Sequence, residues 1–182
     1  PWSPEPGVVW GLTDFANISR IVAYPSVSYI SPLPTLVLHN DQARVNIGVN
    51  TVENAFISGL NGSGQIVAVG DSGLDGDHGD FTGRLAGVTS VTPGDSSTAD
   101  PSDGHGTHVA CTVLGSGYRS NGGYRGIAPE ADLYFQAMED DDSGALYSYG
   151  INSMLNSAYN AGARIHTNSW GSQSGFGGYS TQ

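Results

Sequence analysis

The chain has 182 residues, which is long enough for one domain with a sizeable core. Its 17 acidic residues against 6 basic ones give a net charge of −11, which argues against nucleic acid or an anionic membrane as a partner. A single cysteine excludes an internal disulfide framework, and no apolar run approaches the roughly 18 residues of a membrane span.

Residues 1–39 differ from the remainder of the chain. Apolar residues recur at helical spacing and predict a helix: Leu12, Phe15, Ile18 and Val22. The segment 26–31, SVSYIS, alternates as a strand does, and two prolines stop regular structure in 32–39. Charge and glycine content rise after that, so we place a boundary near His39–Asn40.

From residue 40 onward, predicted helices and strands alternate. Helices are predicted at 51–60, with Glu53 in the first turn, at 106–115 and at 143–163. Strands are predicted at 64–73, 131–139 and 163–171. The last helix is expected to place these residues on one face: Leu146, Tyr149, Ile151, Leu155, Ala158 and Tyr159. The alternation predicts an α/β fold with an open, mostly parallel sheet and helices on both faces.

Polar clusters follow each predicted strand. DSGLD, EDDDSG and NSWGS come after the first, second and third strands. Ligands of open α/β sheets bind beyond the carboxyl ends of the strands, so we expect the functional site there.

Two histidines, His105 and His108, stand three residues apart at the start of a predicted helix. They allow three interpretations: a metal site, a polar helix-capping turn, or a general base at His105 with a structural neighbour. The zinc-protease arrangement needs a spacing of four with an intervening Glu, which HGTH lacks. A histidine base needs a carboxylate, and Asp71 at the end of an apolar strand is the best candidate, although an Asp there also caps turns. The joint pattern favours catalysis.

The segments VAVGDSGLD and DGHGTHVA resemble the Asp and His motifs of subtilisin-like serine peptidases, the subtilases. RGIAPEADLYFQAM and ARIHTNSWG resemble further segments of that family, in the family's order, from about Asn40 to the end of the chain. The resemblance implies a subtilisin-like fold that is incomplete in this chain, and a secreted, extracellular endopeptidase that acts on peptides or proteins. It makes Asp71 the orienting carboxylate and His105 the general base.

The resemblance also implies substrate-binding residues. Ser169, Trp170 and Gly171 match the segment that pairs with substrate backbone beside the first specificity pocket, and Ser143 and Gly144 match the facing edge. Core packing is the alternative for Trp170, and a solvated loop is the alternative for 140–144.

The chain departs from the family in two respects. Cys111 stands where the family usually has Gly, and it is expected to behave as a small hydrophobic residue rather than a nucleophile. The family's serine nucleophile and oxyanion-hole Asn are expected beyond Gln182, on the remaining C-terminal part of the peptidase domain. We therefore expect this chain alone to be inactive.

Three points stay open at the level of sequence. Residues 1–39 resemble the last third of a propeptide, the alternative being a plain N-terminal extension. A non-catalytic structural or binding module and a metal-dependent hydrolase using His105, His108 and Asp71 are the rival functions. The chemistry requires no cofactor, but Asp75, Asp77 and Asp80 can chelate structural calcium if they are not simply a solvated acidic turn, and the same alternative holds for 139–142.

Overall fold

The computed structural model describes residues 12–31, 40–55, 59–100, 104–147 and 150–171. The chain divides into two units, Pro1–Val37 and Leu38–Gln182. Within the described ranges, no helix has the length and apolar character needed to span a lipid bilayer.

The described part of the first unit is a short helical segment. A single 3-10 turn, Phe15–Asn17, leads into helix α1, Ile18–Val22, so the predicted helix is confirmed. The strand predicted at 26–31 is wrong, because that stretch is a turn followed by irregular backbone. A strand needs a neighbour for its backbone hydrogen bonds, and the described residues of this unit supply none. The prolines of 32–39 lie outside the described residues.

The second unit begins with two helices, α2 at Asn40–Asn46 and α3 at Val49–Ala55. Helix α2 was not predicted from the sequence, and the placement of Glu53 in a first turn is wrong, because α3 starts at Val49. Glu53 has a bridging position instead. Its carboxylate accepts from Arg44 Nη2 at 2.6 Å and from Arg125 Nη2 at 2.8 Å. Arg44 is buried and also donates to the carbonyl of Gly126. The two ion pairs of Glu53 and this hydrogen bond together connect both helices to the 125–126 loop.

Among the described residues, four parallel strands form one sheet: β1 Ile66–Asp71, β2 Leu85–Ser90, β3 Asp132–Ala137 and β4 Ile165–Asn168. Their spatial order is β2-β3-β1-β4, which puts β1 in the interior of the described sheet. The three predicted strands are confirmed with shorter bounds, and β2 was missed. The register of β2 shifts between Leu85 and Gly87, where the Tyr134 ring lies against Gly87. β2 contains this glycine and its residues are exposed or only partly buried, so its sequence lacks the apolar run that predicts a buried strand.

The sheet buries a different helix on each face. Val67, Val69, Leu133 and Phe135 pack with helix α4, His105–Leu114, while Ala68 on the opposite face packs with Ala158 of helix α5, Ile151–Asn160. Neighbouring residues of a strand point to opposite faces, so a continuous apolar strand serves two helices at once. The predicted parallel α/β architecture with helices on both faces is confirmed.

Helix α5 is shorter than the predicted helix at 143–163. It begins after Gly150, whose φ of +66° is a left-handed conformation that suits glycine. Before it, an antiparallel bridge between Glu139 and Leu146 takes up the backbone groups that a longer helix would need. The helix buries Met154 and Ala158, whereas other members of the predicted face are exposed: Leu146, Ile151, Leu155 and Tyr159. Tyr149 lies outside the described residues.

A polar network crosses the α5 face of the sheet. His166 of β4 donates through Nε2 to Gln136 Oε1 on β3 at 2.9 Å, and Gln136 Nε2 donates to the Met154 carbonyl at 3.1 Å. Gly70 of β1 lies between them, and a Cβ there would stand 3.1 Å from the His166 ring. The absent side chain at Gly70 therefore lets His166 reach across the central strand.

Replacement of a core leucine tests the packing of the sheet. Leu133→Ala removes a fully buried side chain from β3 and is expected to lower the free energy of unfolding by about 2–5 kcal/mol. Leu85→Ala, at the paired position on edge strand β2, is the matched control. Leu85 is 38% exposed, so its replacement is expected to cost about 1 kcal/mol or less. Urea denaturation of the two variants measures the difference, and equal losses would contradict this assignment of the core.

Protonation of His166 is expected to destabilise the fold. Burial lowers the pKa of His166, and its Nδ1 is buried with no partner among the described residues, so a second ring proton has nowhere to bond. The unfolded chain then binds more protons than the folded one as pH falls from about 6.5 towards the lowered pKa. Stability contributed by neutral His166 is therefore present above about pH 6.5 and lost below it.

The measurement is the free energy of unfolding of wild type and of His166→Gln between about pH 7.5 and about pH 5. The wild type is expected to lose more stability over this range than the variant, which has no ring to titrate. Parallel curves for the two proteins would show that His166 does not contribute.

Candidate active site

Asp71 and His105 are brought into direct contact by the fold. Asp71 is the last residue of β1 and is fully buried, and His105 is the first residue of α4 with a side chain that is 45% exposed. His105 Nδ1 lies 2.6 Å from Asp71 Oδ1, which also accepts from the backbone N–H of Ser72 at 2.8 Å. With Nδ1 donating to the carboxylate, any proton transfer by His105 has to use Nε2.

Two glycines allow the start of α4 to approach the backbone that follows the end of β1. A Cβ on Gly106 would stand 2.3 Å from the Gly73 carbonyl oxygen, and a Cβ on Gly73 would stand 1.6 Å from the Ala99 carbonyl oxygen. Neither position has a positive φ, so glycine is needed here for space rather than for conformation. The backbone approach holds His105 within reach of Asp71.

A second carboxylate fixes the start of α4. Asp100 Oδ1 accepts from the Ser72 hydroxyl at 3.0 Å, and Oδ2 accepts from both the backbone N–H and the hydroxyl of Thr107 at 3.0 Å. Ser72 Oγ in turn accepts from the Gly106 N–H at 2.9 Å. Asp100 accepts from N–H and O–H donors in the first turn of α4, and its negative charge interacts favourably with the positive end of the helix dipole.

Sequence reasoning missed this supporting network of Ser72, Asp100 and Thr107. A Ser or Asp near the start of a predicted helix is a capping signal that was available in the sequence. The signal does not say which helix a distant Asp will cap, because Asp100 and Ser72 are brought together only by the fold.

His108 lies apart from the Asp71–His105 pair. It is exposed on α4, and its backbone makes ordinary helical hydrogen bonds. Among the described residues, the one group of three side chains whose metal-ligating atoms lie within 4.8 Å of one another contains none of Asp71, His105 and His108. The described geometry therefore gives no support to the metal-dependent hydrolase alternative.

The segment Ser169–Gly171 follows β4 at the carboxyl end of the parallel strands, where Asp71 also lies. Gly70 and Asn168 are register partners, so the ends of β1 and β4 lie side by side. Trp170 is half-buried, and its indole N–H donates to the Gly70 carbonyl at 2.9 Å. Ser169 and Gly171 are exposed. The structure thus gives Trp170 an anchoring contact, and the pairing of this segment with substrate stays a prediction.

Ser143 and Gly144 lie in an exposed turn after β3. The Ser143 N–H and hydroxyl donate to Asp140 Oδ1 at 2.8 and 2.7 Å, and these bonds lower the pKa of the Asp140 carboxyl. The Gly144 N–H donates to the Asp140 carbonyl at 2.8 Å, with φ at +66°. Asp140 therefore holds the turn, and its role as a substrate edge stays a prediction.

The acidic residues of the 71–80 loop are not gathered around one point. Asp75 and Asp77 are exposed, and Asp75 Oδ1 accepts from the Asp77 N–H at 3.2 Å. Asp80 is buried, and its two carboxylate oxygens accept from the N–H groups of Gly117 and Arg119 at 2.9 Å. The described geometry provides no ligand set made of these three carboxylates.

Cys111 lies in α4 beyond His105. Burial, followed by the charge of Asp80, raises the pKa of its thiol to about 12. A thiol with this pKa holds almost no thiolate at neutral pH, and the thiolate is the nucleophilic form. This agrees with the expectation that Cys111 is not a nucleophile.

Comparison with known proteins gives a consistent family. Residues 62–182 match the model of the subtilase family of peptidases. The chain is 32% identical to subtilisin E of Bacillus subtilis (strain 168) over 141 residues, which is 76% of this chain and 35% of that protein. It is 35% identical to an alkaline protease of Alkalihalobacillus alcalophilus over 159 residues, which is 87% of this chain and 40% of that protein.

A solved structure shares the fold. The psychrophilic subtilisin-like protease Apa1 of the Antarctic Pseudoalteromonas sp. AS-11 superposes with a TM-score of 0.53 at 20% identity, over 73% of this chain and 30% of that one. The chain thus spans well under half the length of these curated relatives. A family model that matches most of the described second unit, together with relatives above 30% identity, shows that the chain belongs to the subtilase family.

Proposed function

We propose that the intact protein is a secreted serine endopeptidase in which Asp71 orients His105 as the general base. The observation that carries the proposal is the 2.6 Å contact between buried Asp71 and half-exposed His105 in a chain of the subtilase family. A buried carboxylate against an imidazole in a water-accessible position is the pairing that serine peptidases require of these two residues.

The proposed mechanism uses the two ring nitrogens of His105 differently. Nε2 takes the proton of a serine hydroxyl as that oxygen attacks the peptide carbonyl, and it later returns the proton to the leaving amine. Asp71 keeps the ring in the tautomer with the proton on Nδ1 and stabilises the imidazolium that forms. The Ser72 N–H bond to Asp71 Oδ1 and the network on Asp100 hold this geometry before substrate arrives.

The serine nucleophile and the oxyanion-hole Asn are proposed to lie on polypeptide beyond the present sequence. The chain spans about a third of the length of subtilisin E, so the remaining C-terminal part of the peptidase domain is the partner that completes the site. On this proposal the 182 residues alone bind and orient but do not hydrolyse. Residues 1–39 are proposed to be a propeptide tail.

Substrate is proposed to bind as an extended strand. Ser169–Gly171 continues from β4 at the edge of the described sheet, and Ser143–Gly144 lies in the turn after β3. Backbone groups at a sheet edge give affinity for an added strand, whatever its side chains. Trp170 is the anchored residue of the first segment, because its indole N–H donates to the Gly70 carbonyl.

The full-length protein tests the proposal by labelling with a serine-directed fluorophosphonate and by hydrolysis of an unstructured protein substrate. The wild type is expected to label on a serine outside these 182 residues and to hydrolyse the substrate. Asp71→Asn is expected to lower kcat about 10⁴-fold, the order known for removal of this carboxylate from serine-protease triads, because the ring loses its tautomer and its counter-charge. His105→Ala is expected to lower kcat about 10⁶-fold.

His108→Ala is the matched control, since His108 is exposed on the same helix, and its activity is expected to equal that of the wild type. Circular dichroism verifies that each variant is folded. An unlabelled, inactive wild type would overturn the proposed function and favour the non-catalytic module. Full activity in Asp71→Asn would refute the assigned roles.

A further inference from the structure

We propose that His78, Asp80 and Cys111 bind a divalent cation of the zinc class. The three side chains offer one nitrogen, one oxygen and one sulfur atom, all within 4.8 Å of one another. Cys111 Sγ lies 3.9 Å from His78 Nδ1, which lies 4.0 Å from Asp80 Oδ1. Ligands at about 2.0–2.3 Å from a tetrahedral ion are separated by roughly 3.3–3.8 Å, so small side-chain movements complete the site.

The carboxylate of the cluster is already oriented. Asp80 Oδ2 accepts from the Gly117 N–H and Oδ1 accepts from the Arg119 N–H, both at 2.9 Å. A carboxylate has about four lone-pair sites, so two N–H bonds leave capacity for an ion. Hydrogen bonds of this kind hold metal ligands in place and are a regular part of metal sites.

The histidine has an unprotonated nitrogen that faces the cluster. The Asp80 N–H points at His78 Nδ1 at 3.4 Å, which places the lone pair of the neutral ring on Nδ1. This bond is long, so an ion can replace it at low cost. The His78 side chain is 27% exposed, whereas that of Asp80 is almost fully buried, so an ion has an entry path from solvent.

The donor set selects the class of ion. Calcium and magnesium take oxygen ligands, whereas a set of thiolate, imidazole and carboxylate suits Zn²⁺, Co²⁺ and Cd²⁺. A thiolate and a carboxylate together balance the two positive charges. The thiol is protonated in the absence of metal, since its pKa is raised by burial and by Asp80 and Asp75 against an opposing effect of Arg84, so the ion must displace a proton.

The site is distinct from the Asp71–His105 pair although both use α4. His105 is the first residue of that helix and Cys111 is the seventh, so they lie more than one turn apart. The three ligands come from the loop after β1 and from the middle of α4.

Cobalt titration of the reduced, chelator-treated 182-residue chain tests the site. One equivalent of Co²⁺ is expected to produce a thiolate-to-metal charge-transfer band, and Zn²⁺ in excess is expected to remove it. Cys111→Ser is expected to abolish the band. His78→Ala is expected to weaken the affinity for Co²⁺ by about tenfold or more, because one ligand is lost.

His108→Ala is the control for adventitious binding to a surface histidine, and its titration is expected to match that of the wild type. The His78 side chain is partly exposed, and circular dichroism verifies that its variant is folded, so the test does not depend on a cysteine variant alone. Absence of the band in the wild type, or equal affinity in His78→Ala and His108→Ala, would overturn the proposal. Binding of Ca²⁺ in place of Co²⁺ would also overturn it.

Discussion

A fully buried carboxylate at the end of the central strand is the constraint on which the site depends. Burial of an ionised Asp away from water is costly unless hydrogen bonds and an opposite charge compensate for it. Asp71 obtains the Ser72 N–H and the His105 ring, and its Oδ2 has no partner among the described residues. His105 thus supplies a side-chain hydrogen bond to this carboxylate, and the close glycine contacts between its helix and the residues that follow β1 make that bond possible.

Strand identity was the most predictable part of the fold. β1 and β3 are short, largely buried runs that end in polar residues, and this pattern survives because both faces of each strand are covered, whereas β4 is only partly buried at the edge of the described sheet. β2 was missed since it lies at the edge of the described sheet, is partly exposed and carries a glycine against the Tyr134 ring. The helix predicted at 143–163 was too long. The helical periodicity before Gly150 is local, whereas the chain there forms the turn held by Asp140 and the Glu139–Leu146 bridge.

Of the candidate site, Asp71 at the end of β1 and His105 at the start of α4 were predictable, and the residues that support them were not. Asp71 and His105 stand in local motifs, so sequence spacing together with the parallel topology was enough to expect them near each other. Asp100 lies 28 residues from Ser72, and nothing local connects the two. The reach of His166 to Gln136 likewise depends on a missing side chain at Gly70, which is a property of three strands rather than of one. Contacts of this kind appear only when the register is known.

Helix α4 is held at both ends by two buried carboxylates, one from the last residue of β1 and one from the loop that follows β1. Asp71 bonds the first residue of the helix, and Asp80 bonds the N–H groups of Gly117 and Arg119 just beyond its last turn. Any sliding of α4 along the sheet would leave one of these charges without its donors, and a buried unpaired charge costs several kcal/mol by order of magnitude. The end of β1 and the loop that follows it therefore set the position of His105 together. This arrangement also explains why the chain can place Cys111 in the middle of α4, where it contacts the loop at His78, without disturbing the pair at the start of the helix.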